Sequence, residues 1–186
     1  MSSALLVMDV QRDIVDLADD GSGYLTRLRR AIDGARAANM PVIYVVIALR
    51  PGFPEVGTRN RALTAIARSG LYVEGAPGTE IHPEVAPLPG DVVITKRRAS
   101  AFFGTDLDVV LRARGIDSLV LTGIATSAVV LSTLCQANDL DFGLTVLPDA
   151  CLDLDPELHG ALVGKLFPQW ADVVAVDDWL AALTAR

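Results

Sequence analysis

Three residues with chemical potential each close an apolar segment of this chain. Asp9 ends the run in MDVQRD, Lys96 follows the run in VVITKRRASAF, and Gly123 ends LVLTG before IATS leads into a helix. A carboxylate can move a proton, and an ammonium can orient it or stabilise developing negative charge. A helix start offers unpaired N–H groups to an anion. Taken singly, each has an ordinary explanation. An Asp after a strand is often a turn residue, Lys96–Arg97–Arg98 reads as a solvated basic run, and Gly123 can simply relieve a tight connection. Ligand sites in open α/β sheets form outside the carboxyl ends of strands, so the three predict one crevice if their strands are neighbours.

Other candidates are less distinctive. Cys151, in LPDAC, lies at the same predicted sheet end, but no adjacent His or Asp arrangement marks an activated thiol, so it reads as structural or pocket-lining. Cys135 reads as a small buried apolar residue, and two cysteines cannot make a secreted disulfide scaffold. Gln11 could orient a ligand or bond nearby backbone, and Phe102 and Phe103 could line the crevice or pack in the core. Thr126 and Ser127 could cap the helix or donate to a ligand. His82 and His159 have no compact Asp/His spacing around them, so no metal is expected. GFPEVG and GIATS lack the glycine patterns of phosphate and dinucleotide loops, so no organic cofactor is expected either.

The elements that must position these residues follow from patterning. Ala4–Met8, Pro41–Leu49, Asp91–Thr95, Leu119–Thr122, Leu144–Leu147 and Val173–Val176 are rich in Val, Ile and Leu and do not alternate with polar residues. That is the signature of parallel strands buried on both faces. Tyr24, Leu25, Leu28, Ile32 and Ala35 repeat at helical spacing. Thr105 can cap a helix that stops at Gly115, Asp155–Pro156 starts another, and Asp177 can cap a last one. The alternation predicts a three-layer α/β sandwich around a mostly parallel sheet of about six strands. The long connection from Arg50 to Gly90, with one helical candidate at Thr58–Ser69, could wall a ligand site or supply an oligomer contact.

The composition narrows the function classes. A chain of 186 residues with 51% apolar residues suits a single domain spanning 1–186 with a sizeable core. With 16 basic against 23 acidic residues, no nucleic-acid partner is expected. The apolar stretch Val42 to Leu49 is too short to span a bilayer, so no membrane partner is expected. The start MSSALLVMDVQRD lacks a basic n-region and argues against a signal peptide, which makes the cytoplasm the expected location.

The ordered set LLVMDVQRD, VVITKRRASAFFGTDLDVVLRARGIDSLVLTGIATS, and LTVLPDAC followed by DLDPELHG resembles the isochorismatase-like family of cysteine hydrolases, from residue 4 to about residue 176. The resemblance implies a Rossmann-like fold, a small-molecule ligand and no cofactor. It also implies a site in which Asp9 moves a proton, Lys96 stabilises the arrangement, and amides around Ile124, Ala125, Thr126 and Ser127 shape an oxyanion hole after a cis peptide at Ile124–Ala125. Members with a thiol place it in a G[IV]AT-x-x-C pattern, where this chain has Val129. The resemblance therefore implies a hydrolase working by noncovalent acid–base chemistry with Asp9 and Lys96, as in members that cleave a vinyl ether. The alternatives are a catalytically inactive binding or scaffold homologue, and an amide hydrolase with an unexpected nucleophile. Family members are commonly oligomeric, and a mean hydropathy of +0.39 is high for a small soluble protein, so a homodimer or larger homo-oligomer is expected.

Overall fold

Successive side chains of a strand point to opposite faces, and β1 (Ser3–Met8) is buried on both. Ala4, Leu6 and Met8 join one hydrophobic core, while Leu5 and Val7 join a second. Such a strand needs cover on each side, which is why its sequence shows no polar alternation. In the computed structural model, which describes residues 2–18 and 21–184, β1 pairs in parallel with β2 (Val42–Ile47) and β4 (Ser118–Ile124). The sheet is completed by β3 (Val92–Lys96), β5 (Gly143–Leu152) and β6 (Asp172–Val173), in the order β3-β2-β1-β4-β5-β6. All of its pairings are parallel.

Helices α1 (Arg12–Ala18), α2 (Tyr24–Ala37) and α7 (Val176–Thr184) bury their apolar faces in the second core. The first core takes α4 (Leu107–Ala113), α5 (Leu131–Asp139) and the segment after α6 (Pro156–Ala161), through Leu162 and Phe167. Helix α3 (Arg61–Ser69) lies in the long connection between β2 and β3. The expected α/β sandwich with six parallel strands is thus the observed one. Among the described residues, no helix is long and apolar enough to cross a membrane.

Several boundaries differ from expectation for identifiable reasons. Helix α3 begins at Arg61 rather than Thr58, because the Asn60 side chain accepts from Leu63 N at 3.0 Å and sets the start. The last helix is not capped by Asp177, which lies inside its first turn; Asp149, distant in sequence, accepts from Val176 N at 3.0 Å. That early start shortens β6 to Asp172–Val173. Strand β5 instead continues through Cys151 to Leu152, after a register shift against β4 between Leu121 and Gly123.

The strand order places the direction change between β1 and β4, where chain connections leave to opposite sides and open a crevice at the carboxyl ends. Gly123 pairs with Met8 across this gap. Its φ of +142° and its closeness to the Met8 carbonyl, which an added Cβ would strike, admit no side chain.

Candidate active site

Asp9 leaves β1 with φ +57°, a left-handed conformation that Asp tolerates better than most residues, and its N–H donates to Val45 O at 2.8 Å. The turn aims its carboxylate across β2 toward the end of β3. There Lys96 Nζ lies 2.8 Å from Asp9 Oδ2 and donates to Arg98 O at 3.0 Å. The two side chains are 8% and 2% exposed, so this is a buried ion pair and not a solvated basic run. Asp9 Oδ1 is buried with no hydrogen-bond partner among the described residues. Burial pushes the Asp9 carboxyl above the usual carboxylate range, and the neighbouring Lys96 charge only partly opposes that rise.

A cavity of about 220 Å³ opens beside the pair. Ile124, Ala125, Ala128 and Val129 form one wall, at the end of β4 and in the π-helical turn (Thr126–Val130) that runs into α5. The Ile124–Ala125 peptide is cis. Ile14, Leu17 and Ala18 of α1 form another wall. The long connection supplies the third through Asn60, Leu63, Ile66 and Tyr72, so it does wall a cavity. It is tied down where Leu49 N donates to Tyr72 O at 2.7 Å and Glu74 N to Leu49 O at 2.8 Å. Burial, and then the Asp9 and Asp13 charges, raise the Tyr72 phenol, which therefore stays a proton donor. The walls are mostly apolar, with Asp9, Lys96 and Arg98 as the charged members among the described residues.

Residues 3–178 match the model of the isochorismatase domain. The chain belongs to the isochorismatase family. Among its relatives, ureidoacrylate amidohydrolase RutB of Rhizobium rhizogenes is 34% identical, over 98% of this chain and 83% of that protein. The isochorismatase family protein YwoC of Bacillus subtilis is also 34% identical, over 96% of this chain and 92% of that one. Among solved structures, an isochorismatase family protein of Burkholderia thailandensis superimposes with a TM-score of 0.85 at 32% identity, covering 98% of this chain and 96% of that one. The N-carbamoylsarcosine amidase of Thermoplasma acidophilum does so with a TM-score of 0.78 at 30% identity, covering 95% and 98%.

In this isochorismatase fold, five of the residues singled out from sequence line the cavity: Asp9, Lys96, Ile124, Ala125 and Val129. The others do not: Phe103 is 61% exposed, neither in the crevice nor in the core, and Gln11, Phe102, Thr126, Ser127 and Cys151 are each held elsewhere. The Gln11 amide is bound at both ends to backbone, donating to Ile47 O at 2.9 Å and Thr79 O at 2.8 Å and accepting from Ile47 N at 2.8 Å. Gln11 thus fastens the Asp9 loop to β2 and to the long connection. Phe102 is buried in the first core, its ring 5.7 Å from that of Phe142. Thr126 is buried, with its hydroxyl 2.9 Å from His159 Nδ1, and the Ser127 N–H donates to Asp153 Oδ2 at 2.6 Å. Neither side chain caps the turn; a carboxylate from beyond β5 does so.

Cys151 is buried against Leu121 O, and burial pushes its thiol up to about 12. Cys135 is also raised by burial, and neither cysteine lines the cavity. Among the described residues, no three His, Cys, Asp or Glu side chains group as metal ligands would. The sequence reading anticipated the long connection and its helix as a wall, but it did not single out Arg98 or Tyr72 as lining residues. For Arg98 the basic run was the signal, and it read as surface.

Proposed function

We propose that this isochorismatase-family protein hydrolyses a small molecule by noncovalent acid–base chemistry, with Asp9 as the proton-transfer group and Lys96 as its positioning partner. The observation that carries this reading is the Asp9 carboxyl: one oxygen held by Lys96, the other buried without a partner among the described residues, beside a mostly apolar cavity. Burial favours the protonated form, which a general acid requires. Val129 has no lone pair, so the side chain in that wall cannot form a covalent intermediate.

A vinyl ether suits such a site. The Asp9 proton is transferred to the terminal alkene carbon, the π electrons form the new C–H bond, and an oxocarbenium ion results. Water adds to the oxygen-bearing carbon of that ion and returns a proton to the Asp9 carboxylate. The hemiketal then separates into a carbonyl compound and an alcohol, with no net change at the protein. The amidohydrolase names carried by several relatives make amides the second substrate class to test.

The decisive measurement is a product screen over vinyl ethers, amides and small imides, run in deuterated water. The expected result is one carbon-bound deuterium per vinyl ether turned over. Turnover should be level at low pH and fall about tenfold per pH unit once pH rises through the raised Asp9 pKa, because the acid form is then lost. Product without carbon-bound deuterium, or a rate that climbs with pH, would exclude Asp9 as the acid. Val129 also favours a second reading, a binding homologue that has lost its reaction. Ligands bound without any product would establish that reading.

We further infer that copies of the chain associate. Leu88, Phe103 and Val109 are 54%, 61% and 69% exposed, an apolar display that association would cover. Light scattering at several dilutions should give a mass above the 19.7 kDa of one chain, and a monomer at every dilution would exclude assembly.

A further inference from the structure

The cavity wall formed by Ala125, Ala128 and Val129 hangs on the π-helical turn, and that turn is held from behind. A π turn closes wider rings than an α-helix, here with Val130 N donating to Ala125 O at 3.3 Å, and such turns recur at functional sites. Its first two residues are bonded to the segment that follows β5. Asp153 Oδ2 accepts from Ser127 N at 2.6 Å, and its Oδ1 accepts from Asp155 N at 3.1 Å. Asp155 in turn caps α6 through Glu157 N and Leu158 N. Helix α6 then places His159 Nδ1 2.9 Å from Thr126 Oγ1, whose second partner is Leu152 O at 3.3 Å.

A hydroxyl beside an imidazole and a carboxylate could be a nucleophile with its base, but the geometry here is different. Thr126 is fully buried and does not line the cavity. Both Asp153 oxygens are taken by backbone N–H groups, and no hydrogen bond joins Asp153 to His159 among the described residues. The Thr126–His159 bond therefore acts on position and not on a reacting atom. Burial pulls His159 below its ordinary value, and the Asp153 charge opposes that only in part, so the ring is neutral at neutral pH. A neutral ring shares one hydrogen with the Thr126 hydroxyl whichever tautomer it holds.

We propose that His159 is a positioning residue of the site: through the Thr126 hydroxyl it sets where Ala125, Ala128 and Val129 stand relative to Asp9. The proposal rests on the reading of this cavity as the substrate site. The alanine and valine side chains of the wall carry no polar anchor of their own. The bond at Ser127 fixes one point of the turn, and a second bond at Thr126 fixes its orientation. A misplacement of about 1 Å can cost about 100-fold in rate, so a group behind the wall can govern turnover without touching the ligand. Without Nδ1 the buried hydroxyl keeps only Leu152 O, and the turn re-seats toward β5 to shorten that bond.

The test reads the wall directly and does not wait on turnover. Methyl signals of Ala125, Ala128 and Val129 are followed by NMR in the intact, methyl-labelled protein. His159→Phe keeps a ring but removes Nδ1; it should shift all three signals and leave Val42, at the opposite end of the sheet, unmoved. His159→Asn offers a hydrogen-bonding atom near the Nδ1 position and should restore most of the wild-type signals. Because His159 acts through Thr126, adding His159→Phe to Thr126→Val should shift the wall no further than Thr126→Val alone. A ring that merely packs against the turn would shift it equally in both backgrounds. With a turnover substrate in hand, His159→Phe should lower kcat about 10-fold and change KM less than about twofold. Wall signals unmoved by His159→Phe, no recovery in His159→Asn, a full further shift in the Thr126→Val background, or an unchanged kcat would overturn the proposal. If His159→Phe does not fold, Thr126→Val against Thr126→Ser decides: only the valine should displace the wall, and an unmoved wall overturns the proposal equally. Failure of the acid–base reading shows separately, as turnover that persists in Asp9→Asn, and leaves the response of the wall signals to His159→Phe unchanged.

Discussion

Asp9→Asn is expected to lower turnover of the identified substrate about 100-fold or more, the usual range for loss of general acid–base catalysis. The substitution is nearly isosteric, and Asn is also tolerated in the left-handed conformation that Asp9 adopts at φ +57°. An amide oxygen can still accept from Lys96, which lies 2.8 Å from Asp9 Oδ2, so the ammonium keeps a partner. What disappears is the titratable proton. The loss should fall on kcat, with KM changed little, because proton transfer is made in the transition state and not on binding. The pH-dependent fall of the wild-type rate should vanish from the residual activity. Wild-type turnover in a folded Asp9→Asn protein would eliminate Asp9 as the essential acid or base.

Lys96→Met should give the largest stability change. The methionine fills a similar volume, but it leaves Asp9 buried without its cation and Arg98 O without the donor now 3.0 Å away. Breaking a buried pair by removing one partner costs roughly 3–5 kcal/mol when the other charge remains. Asp9 can relieve part of that cost by retaining its proton, and this sets the sign of the pH dependence. Its folded pKa is already raised by burial and loses the opposing Lys96 charge in the variant, so it rises further. A group with a raised folded pKa contributes its stability below the unfolded value and loses it as pH climbs through the folded one. Within that window the loss is about 1.4 kcal/mol per pH unit. The variant should therefore trail the wild type more at pH 8 than at pH 5 in denaturant unfolding. Adding Asp9→Asn should restore much of the loss, since no uncompensated carboxylate remains. A deficit independent of pH, or one that the double variant leaves in full, would show that the pair does not carry this energy.

Much of the frame was legible because burial on both faces writes itself into a strand as an unbroken apolar run. Leu5, Leu6 and Val7 serve two cores, and no polar residue could stand among them at low cost. The same regularity made the strand-end positions of Asp9, Lys96 and Gly123 readable, and the resemblance supplied the family. Local capping was readable where the cap is a sequence neighbour, as Asp155 is for α6. It was not readable for α7, whose first N–H is taken by Asp149.

The order of residues by itself thus determined the layers, the family and the set of residues brought to one end of the sheet. Tertiary structure alone decided which of them share a cavity. Lys96, Arg97 and Arg98 are adjacent in sequence and chemically alike, yet one is buried on Asp9, one is bound by two glutamates, and one lines the cavity with its guanidinium held by backbone carbonyls. Gln11, two residues from Asp9, is drawn into backbone bonds with Ile47 and Thr79, while α3 arrives from the long connection to close the opposite wall. The physical reason is that patterning records whether a side chain is buried, which its neighbours in sequence help reveal. Which partner compensates a buried charge depends on groups that meet only after the chain has folded.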